Sequence, residues 1–271
     1  MKQYLSPAKI NIGLNIVSKR DDGYHNIETI FYPINLFDRL IFKESKTFEI
    51  VCSDPSIPVD EKNLIYKARN VLSEFVQKPL DIRIELEKTI PVFAGLGGGS
   101  SNAAITLIAL NEIFELKLSN ETLLSLASKV GSDVPFFILK SPAYAEGRGE
   151  ILQPLPDFKL NYKIILIIPE VKISTAWAYS NFKSSKKAIE LSLIKTAQDF
   201  EKHRDKITND FEEIVFPVYP ELRAIKNQLL ELGAVFALLS GSGSAIYGLF
   251  EPNSEVDLVI NHFKNFRVFI C

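Results

Sequence analysis

A cluster of glycines followed by two hydroxyl groups is the segment of this 271-residue chain best suited to chemistry. Four of its 13 glycines fall between Gly95 and Gly99, and Ser100 and Ser101 follow directly. Glycine allows backbone conformations that other residues avoid, and it lets a ligand approach the main chain closely. A helix that begins at such a segment offers free N–H groups and the positive end of its dipole. The segment therefore predicts a phosphate-binding loop.

The spacing of residues separates this loop from three common phosphate-binding motifs. A Walker A loop needs a Lys-Ser/Thr pair after its last glycine, whereas the next lysine here is Lys117. A dinucleotide-binding loop needs Gly or Ala at the position where this chain has Ser100. It also needs an acidic residue that ends the next strand. The glycine loop of protein kinases precedes a Val-Ala-Ile-Lys strand, which this sequence lacks. A glycine turn without a ligand is disfavoured by the entropic cost of four clustered glycines.

Composition and charge limit the class of partner. Lysine and arginine number 31 and aspartate and glutamate 33, so the chain is nearly neutral, with a pI of about 6.0. This balance does not favour nucleic acid or an anionic membrane as a partner. The longest strongly apolar run is too short to span a bilayer, and the first ten residues lack the apolar stretch of a signal peptide. Cys52 and Cys271 indicate neither a disulfide framework nor a zinc cluster. We expect a soluble cytoplasmic protein.

Hydrophobic periodicity predicts the elements that carry these residues. Apolar and polar residues alternate over 10–16, which is typical of a half-buried strand. A strand over 82–86 leads into the glycine segment, and residues 100–114 are apolar nearly all round, which predicts a buried central helix. The same reasoning predicts further helices over 63–76, 123–130, 192–204, 219–232 and 256–263, and further strands over 48–52, 162–168, 236–239, 244–250 and 267–270.

The order of these elements predicts an α+β protein in which helices pack against antiparallel sheets. The proline-containing segment 153–157 is the strongest boundary signal in the chain. We therefore expect an N-terminal domain over residues 1–153, which contains the glycine segment, and a C-terminal domain over residues 154–271.

Three further segments accompany the glycine segment along the chain. They are Ser6-Pro7-Ala8-Lys9-Ile10-Asn11, Gly131-Ser132-Asp133-Val134-Pro135-Phe136-Phe137 and Leu239-Ser240-Gly241-Ser242-Gly243-Ser244. Together with the run from Pro91 to Ser101, they resemble the signature motifs of the GHMP kinases, whose glycine loop is Pro-x-x-x-Gly-Leu-Gly-Ser-Ser. The pair Tyr24-His25, directly after Asp21-Asp22-Gly23, resembles the family members that act on a cytidine diphosphate-linked methylerythritol.

This resemblance implies the two-domain GHMP kinase fold, with an N-terminal domain like ribosomal protein S5 domain 2 and a ferredoxin-like C-terminal domain. It assigns ATP binding and catalysis to the first domain and a substrate-side role to the second. The implied reaction transfers the γ-phosphoryl group of ATP to the C2 hydroxyl of the cytidine diphosphate-linked methylerythritol, with Mg²⁺ as the accompanying ion. The implied partner is thus a small molecule, and the motifs specify no certain metal ligand.

The same resemblance implies roles for individual residues. Lys9 and Asp133 would be catalytic, with Asp133 as the base for the tertiary hydroxyl and Lys9 orienting it and offsetting negative charge. Tyr24 would stack on the cytosine and His25 would hydrogen-bond to it, with Tyr179 as a second stacking partner. The predicted substrate contacts are Asn11, Tyr24, His25, Thr175 and Tyr179. The predicted ATP contacts are Pro91, Val92, Phe93, Ala94, Gly95, Leu96, Gly97, Gly98, Gly99, Ser100 and Ser101.

Alternative interpretations of these residues remain open. From the sequence, Asp133 could be a helix N-cap before Pro135, and Lys9 a solvated strand end. Another kinase of the same fold, such as a homoserine or mevalonate kinase, would have no need of Tyr24-His25. A non-catalytic sensor on a kinase fold would not need both Lys9 and Asp133. Phe93 stands where the family usually has glycine, which predicts a stiffer loop or a narrower adenine side of the nucleotide pocket.

Overall fold

The fold comes from a computed structural model that describes residues 1–183 and 188–271. The chain forms two compact units, each assembled from separate stretches of sequence. The first unit comprises Met1–Lys9, Asn35–Pro91 and Gly97–Ser141. The second comprises Ile10–Ile34, Val92–Leu96 and Pro142–Cys271. Each unit is defined by the contacts within it and not by a single division of the sequence. The domain boundary expected between residues 153 and 154 therefore stays a prediction.

Two long strands begin the chain and run through both units. β1 (Lys2–Lys19) pairs with β2 (His25–Lys43), which confirms the strand predicted over 10–16. The expectation of a half-buried β1 was wrong, because every residue from Ala8 to Ile16 is buried. Its polar members tolerate burial because their amides are hydrogen-bonded: Asn11 donates to Thr29 Oγ1 at 2.8 Å, and Asn15 donates to a backbone carbonyl.

In the first unit, a small sheet accompanies a group of packed helices. β4 (Arg83–Glu87) pairs antiparallel with the end of β2 and parallel with β3 (Glu49–Cys52). The helices that pack together are α1 (Leu64–Val76), α2 (Gly98–Ile113), α3 (Asn120–Val130) and α4 (Val134–Leu139). Most of α2 is buried, as its apolar sequence predicts. The short α4 gives too few helical periods to be predicted from its sequence.

The second unit contains the beginning of β2 and several short elements. β5 (Ala143–Glu146) pairs antiparallel with β2 and with β6 (Ile151–Pro154). The short helices are α5 (Thr175–Asn181), α6 (Ala197–His203) and α7 (Glu212–Val218). The helix predicted over 192–204 is shorter than expected, because Thr196 and Asp199 form a capping box that begins α6.

A four-stranded antiparallel sheet completes the second unit. Its strands are β7 (Lys163–Ile168), β8 (Phe236–Leu239), β9 (Ile246–Phe250) and β10 (Arg267–Ile270), in the spatial order β10-β7-β9-β8. α8 (Pro220–Glu231) precedes β8, and α9 (Asp257–His262) joins β9 to β10. Antiparallel strands in this order, with one helix before the central hairpin and one after it, are typical of the ferredoxin-like arrangement. Over the described part of the chain, each helix is too short or too polar to cross a membrane.

Candidate active site

The glycine segment ends in the first turn of α2. Gly97 is the N-cap of this helix, with a φ of 70° that favours glycine, and Gly98 is its first residue. A Cβ atom at Gly97 would lie 2.9 Å from Phe137 Cζ and 3.1 Å from Lys9 Cγ, so only glycine fits here without a shift. The first N–H groups of an α-helix have no intrahelical acceptor. The start of α2 therefore offers free donors and a positive dipole end next to Lys9.

Lys9 is a buried cation at this position. Its side chain is 4% exposed, and its Nζ lies 3.8 Å from Asp133 Oδ2. Burial lowers the pKa of Lys9, and the nearby carboxylate of Asp133 opposes that shift to a smaller extent. The interpretation of Lys9 as a solvated strand end was therefore wrong. The side chain of Asp133 stays one-third exposed, so the pair is closed on the lysine side and accessible on the aspartate side.

The side chain of Asp133 does not cap the helix that follows it. Asp133 stands at the N-cap position of α4, but its carboxylate makes no capping hydrogen bond. Its backbone is helical, with φ −83° and ψ −11°, whereas a capping side chain normally belongs to an extended N-cap residue. The position thus agrees with the N-cap interpretation, while the contact that would define a cap is missing. The carboxylate therefore does not cap α4, and it lies 3.8 Å from Lys9 Nζ.

A buried hydrogen bond connects β1 to α2 near this pair. Ser6 Oγ donates to Ser101 Oγ at 2.7 Å, and both residues are fully buried. Ser100, one residue earlier in the same helix, is partly exposed. The two serines of the glycine segment therefore differ, since Ser101 anchors the helix to β1 whereas Ser100 can be reached from outside. Ser6 was noticed in the sequence only as part of the lysine motif.

The residues that lead into the glycine segment lie in the second unit, against the small-residue loop 239–244. Ser240 Oγ donates to the carbonyl oxygen of Gly95 at 3.0 Å. A Cβ atom at Gly95 would lie 1.9 Å from the carbonyl oxygen of Ser240, so this close approach requires glycine. Asn209 Nδ2 donates to two carbonyl oxygens of the loop, each at 2.8 Å. No sequence pattern singled out Asn209, whose role depends on contacts made 30 residues or more away.

Phe93 has a backbone conformation that normally favours glycine. Its φ is 56°, in the left-handed region that side chains with a Cβ avoid. Its carbonyl oxygen accepts a hydrogen bond from the backbone N–H of Ser244 at 3.1 Å, which holds this conformation. The phenyl ring is 60% exposed, so it fills no core position. A stiffer loop or a narrower adenine pocket stays a prediction.

Three of the predicted substrate residues lie in the second unit and make aromatic contacts there. The imidazole of His25 stacks on the ring of Tyr179, with centroids 5.0 Å apart and planes inclined by 15°. Burial lowers the pKa of His25, and Lys19 lowers it further, so both effects favour the neutral imidazole. The ring of Tyr24 is exposed and carries the guanidinium group of Arg148 at 5.0 Å. Tyr179 is thus next to His25. The contact of Arg148 with Tyr24 was not predicted from the sequence.

The remaining two predicted substrate residues both reach the loop 239–244. Asn11 is fully buried, and its Oδ1 lies 3.3 Å from the position of a Cβ atom at Gly241. Thr175, the first residue of α5, shares a hydrogen bond of 2.9 Å with the hydroxyl of Ser242. The structure therefore brings Asn11 and Thr175 to one loop, although 163 residues separate them in the sequence (175 − 11 − 1).

Comparison with known families agrees with this architecture. The model of the GHMP kinases N terminal domain matches residues 63–141, and that of the GHMP kinases C terminal matches residues 187–267. These matches cover more than half of the chain and include the glycine segment, Asp133 and the loop 239–244. The chain belongs to the GHMP kinase family. It is a small-molecule kinase with ATP as its co-substrate, and the predicted α+β, two-domain GHMP kinase fold is confirmed.

Comparison with individual proteins is more specific than the match to the family models. The 4-diphosphocytidyl-2-C-methyl-D-erythritol kinase of Chloroherpeton thalassium is 44% identical over 256 residues, which cover 92% of this chain and 89% of that protein. The protein of that name from Chlorobium limicola is 42% identical, with 97% and 94% covered. A crystal structure of 4-(cytidine 5'-diphospho)-2C-methyl-D-erythritol kinase has a TM-score of 0.83 at 32% identity, over 99% and 98% of the chains. The mevalonate kinase of Methanococcus jannaschii, at 18% identity, TM-score 0.71 and coverage of 100% and 97%, shares the fold alone.

The burial of Lys9 predicts that its charge lowers stability at neutral pH. The pKa of Lys9 in the folded protein is below its unfolded value, so folding disfavours the protonated side chain. We expect Lys9→Met to raise the free energy of unfolding at pH 7 and to abolish kinase activity. As the pH rises towards 10.5, the unfolded chain of the parent releases its proton and the difference in stability shrinks. Urea unfolding between pH 7 and pH 10 measures both effects.

The matched control is Lys62→Met, which replaces an exposed lysine of the same unit. We expect this variant to leave stability and its pH dependence unchanged. A Lys9→Met protein that is less stable than the parent at pH 7 would show that the contacts of the ammonium group outweigh its burial.

Proposed function

We propose that this chain transfers the γ-phosphoryl group of ATP to the C2 hydroxyl of 4-diphosphocytidyl-2-C-methyl-D-erythritol, in the non-mevalonate pathway to isoprenoid precursors. The observation that carries the chemistry is the pair of Lys9 and Asp133 next to the free N-terminus of α2. The relatives that match over more than nine-tenths of the chain supply the acceptor, because their names specify it.

The geometry of the first unit supports positioning and charge neutralisation, which phosphoryl transfer mainly requires. The N–H groups at the start of α2 hold the phosphates of ATP. Asp133 accepts the proton of the C2 hydroxyl while that oxygen forms a bond to the γ-phosphorus. The bond between the γ-phosphorus and the bridging oxygen breaks, and ADP leaves. Lys9 orients the carboxylate and offsets negative charge on the transferred group, a role that suits a cation with little solvent around it.

Mg²⁺ is the proposed ion of the nucleotide. Within the described residues, no group of three or more His, Cys, Asp or Glu side chains could hold a metal ion. This fits an ion that keeps several waters and binds mainly to phosphate oxygens. The partly exposed hydroxyl of Ser100, at the start of α2, is the protein donor we propose for it. When bound, the ion supplies further neutralisation of phosphate charge.

Recognition of the cytidine group is assigned to the second unit. A neutral imidazole has one donor and one acceptor, so His25 can pair with a polar edge of the cytosine. Tyr24 offers an exposed aromatic ring for stacking, and Arg148 covers part of it with positive charge. Tyr179 supports the imidazole from its other side by stacking. Asn11 belongs to this acceptor set through its place in the lysine motif.

We place the reaction in the cytoplasm, with a small molecule as the partner and no nucleic acid or membrane required. The support is the near balance of 31 basic and 33 acidic residues, which gives no general attraction to polyanions.

The acceptor assignment is tested by steady-state assays with ATP and Mg²⁺. We expect turnover with the cytidine diphosphate-linked methylerythritol and little or none with methylerythritol 4-phosphate, which lacks the cytidine group. Mevalonate and homoserine are the control acceptors, because kinases of this fold act on them. Equal activity with methylerythritol 4-phosphate would remove the case for cytidine recognition, and turnover of mevalonate or homoserine alone would reassign the acceptor.

Asp133→Asn tests the proposed base. This change keeps the shape of the side chain and removes its ability to take a proton, so we expect kcat to fall by about 10²-fold or more with little change in substrate affinity. Because the carboxylate makes no capping hydrogen bond, the melting temperature should stay close to that of the parent. Asp81→Asn, which removes a partly exposed ion pair with Arg69, is the control and should leave kcat unchanged. A kcat within a few-fold of the parent contradicts the role of Asp133.

Tyr24→Ala and His25→Ala separate stacking from hydrogen bonding. Loss of a base–aromatic stack should weaken binding of the cytidine substrate by about 1–3 kcal/mol and leave ATP binding unchanged. His25→Ala should reduce the preference for cytidine over uridine, because cytosine presents an amino donor where uracil presents a carbonyl acceptor. Calorimetric titration with both nucleotide forms measures these effects. Phe75→Ala, at an exposed ring of α1, is the control and should change neither quantity. Unchanged affinity and unchanged base preference in both Tyr24→Ala and His25→Ala contradict the assignment.

A further inference from the structure

A second buried charged group lies at the same end of α2 and is not used by the proposed chemistry. Asp38, on β2, is completely buried and forms an ion pair with the ammonium group of Lys88. Its Oδ1 accepts hydrogen bonds from the backbone N–H groups of Thr89 and Ile90, each at 2.8 Å. Its Oδ2 accepts a hydrogen bond from Asn102 Nδ2 at 3.1 Å. One carboxylate thus holds the chain both before and after the glycines.

These contacts bracket the glycine segment closely. Lys88, Thr89 and Ile90 directly precede Pro91, and Asn102 directly follows Ser101. The two ends of the run 91–101 are therefore tied to the two oxygen atoms of one buried carboxylate, and they cannot separate without breaking charge-assisted hydrogen bonds. A set of N–H donors binds an anion most strongly when it is already in place before the ligand arrives. The hydrogen bonds of Asp38 at both ends of the segment supply such preorganisation.

The amide of Asn102 indicates that this contact has a purpose other than stability. Its Oδ1 is the one buried side-chain polar atom without a hydrogen-bond partner among the described residues. A buried oxygen without a partner lowers stability, and an apolar side chain of similar size would avoid that loss. The amide nitrogen, in contrast, bonds to Asp38. An asparagine at this position makes a hydrogen bond to Asp38, which an apolar residue could not make.

The charge of Lys88 explains why the anchor is a carboxylate. Lys88 Nζ lies 3.2 Å from the position of a Cβ atom at Gly98, the first residue of α2. A buried ammonium group next to the positive end of a helix would be unfavourable without a counter-charge. Asp38 supplies that counter-charge. The cluster therefore fixes the start of the helix without adding net charge to it.

We propose that Asp38, Lys88 and Asn102 form a clamp that positions the glycine segment for the phosphates of ATP. The three are positioning residues, since they act through the backbone of the segment and not by contact with the reacting atoms. This inference rests on the proposed function, which assigns the nucleotide to residues 91–101. It adds a reason for the nucleotide affinity of the segment that the glycines alone do not supply.

Asn102→Ala is the decisive variant, because it breaks the tie to α2 without changing any charge. We expect the dissociation constant of a non-hydrolysable ATP analogue with Mg²⁺, measured by calorimetry, to rise about 10-fold, the loss typical of one hydrogen bond to a charged group. The melting temperature should change little, because the unsatisfied oxygen disappears together with the hydrogen bond. In steady-state assays the KM for ATP should rise, while the KM for the acceptor stays within about twofold.

The matched control is Asn111→Ala, at the other end of the same helix. Asn111 makes two hydrogen bonds to the backbone of Leu118, at 2.9 and 3.2 Å. Its loss should lower the melting temperature and leave the affinity for the ATP analogue unchanged. The two asparagines of α2 would then show opposite effects on stability and nucleotide affinity, which a general loosening of the helix cannot produce.

The double variant Asp38→Asn, Lys88→Met removes the rest of the clamp while keeping the net charge of the site. It should raise the dissociation constant of the ATP analogue at least as much as Asn102→Ala does. Parent-like affinity in Asn102→Ala overturns the clamp, and it does so even if the double variant does not fold. If the parent protein fails to bind the ATP analogue, the proposed function and the clamp both fall. Failure to phosphorylate the cytidine substrate, with ATP affinity still dependent on Asn102, overturns only the acceptor assignment.

Discussion

The buried ammonium group of Lys9 is the interaction on which the first unit depends. A charged side chain taken out of water lowers stability unless an opposite charge accompanies it. Asp133 is the counter-charge, but at 3.8 Å and with its own side chain partly exposed it compensates incompletely. The start of α2, which is also positive, lies against the lysine side chain. The nucleotide phosphates that we propose to bind there would place negative charge next to both positive groups, which would offset part of the cost of burying the lysine.

Buried hydroxyl and amide groups hold the segments around that charge. Ser6 ties β1 to α2 through Ser101, and Asp38 ties the segment 88–90, before the glycines, to Asn102. In the second unit, Asn209 does the same for the loop 239–244, which in turn bonds to Gly95. The contacts of Asp38 with residues 89 and 90 and of Asn209 with Gly241 fix backbone that lies outside the helices and strands. Loops with many glycines lose more entropy on ordering than others, so such fixation is needed wherever their conformation matters.

The fold by itself does not specify the acceptor. The likeness to a mevalonate kinase at 18% identity shows that the same architecture accompanies a different named enzyme. The feature that supports a cytidine-linked acceptor is local: a neutral His25 stacked on Tyr179, with the exposed ring of Tyr24 next to it in the chain. Burial sets the neutral state of the imidazole, and a neutral imidazole can both donate and accept, which matches the mixed polar edge of cytosine.

Much of this protein is determined by local sequence. Periodicity was sufficient for α1, α2 and the strands of the ferredoxin-like sheet, because each is long or apolar enough to show its period. The glycine segment by itself predicted a phosphate site, since the backbone conformations concerned belong to those residues. The roles predicted for Lys9 and Asp133 came instead from the resemblance to the GHMP kinases. Short elements such as α4 and β5 were missed, because four to six residues do not establish a period.

Only the tertiary structure decided which of these groups are buried and what they contact. The full burial of Lys9 and Asn11, the unused cap at Asp133 and the stacking of Tyr179 on His25 all depend on residues far apart in the chain. The same holds for the contact of Asn102 with Asp38, which joins residues 64 positions apart. Burial, pKa and hydrogen-bond partners are properties of packing, and no local pattern contains them.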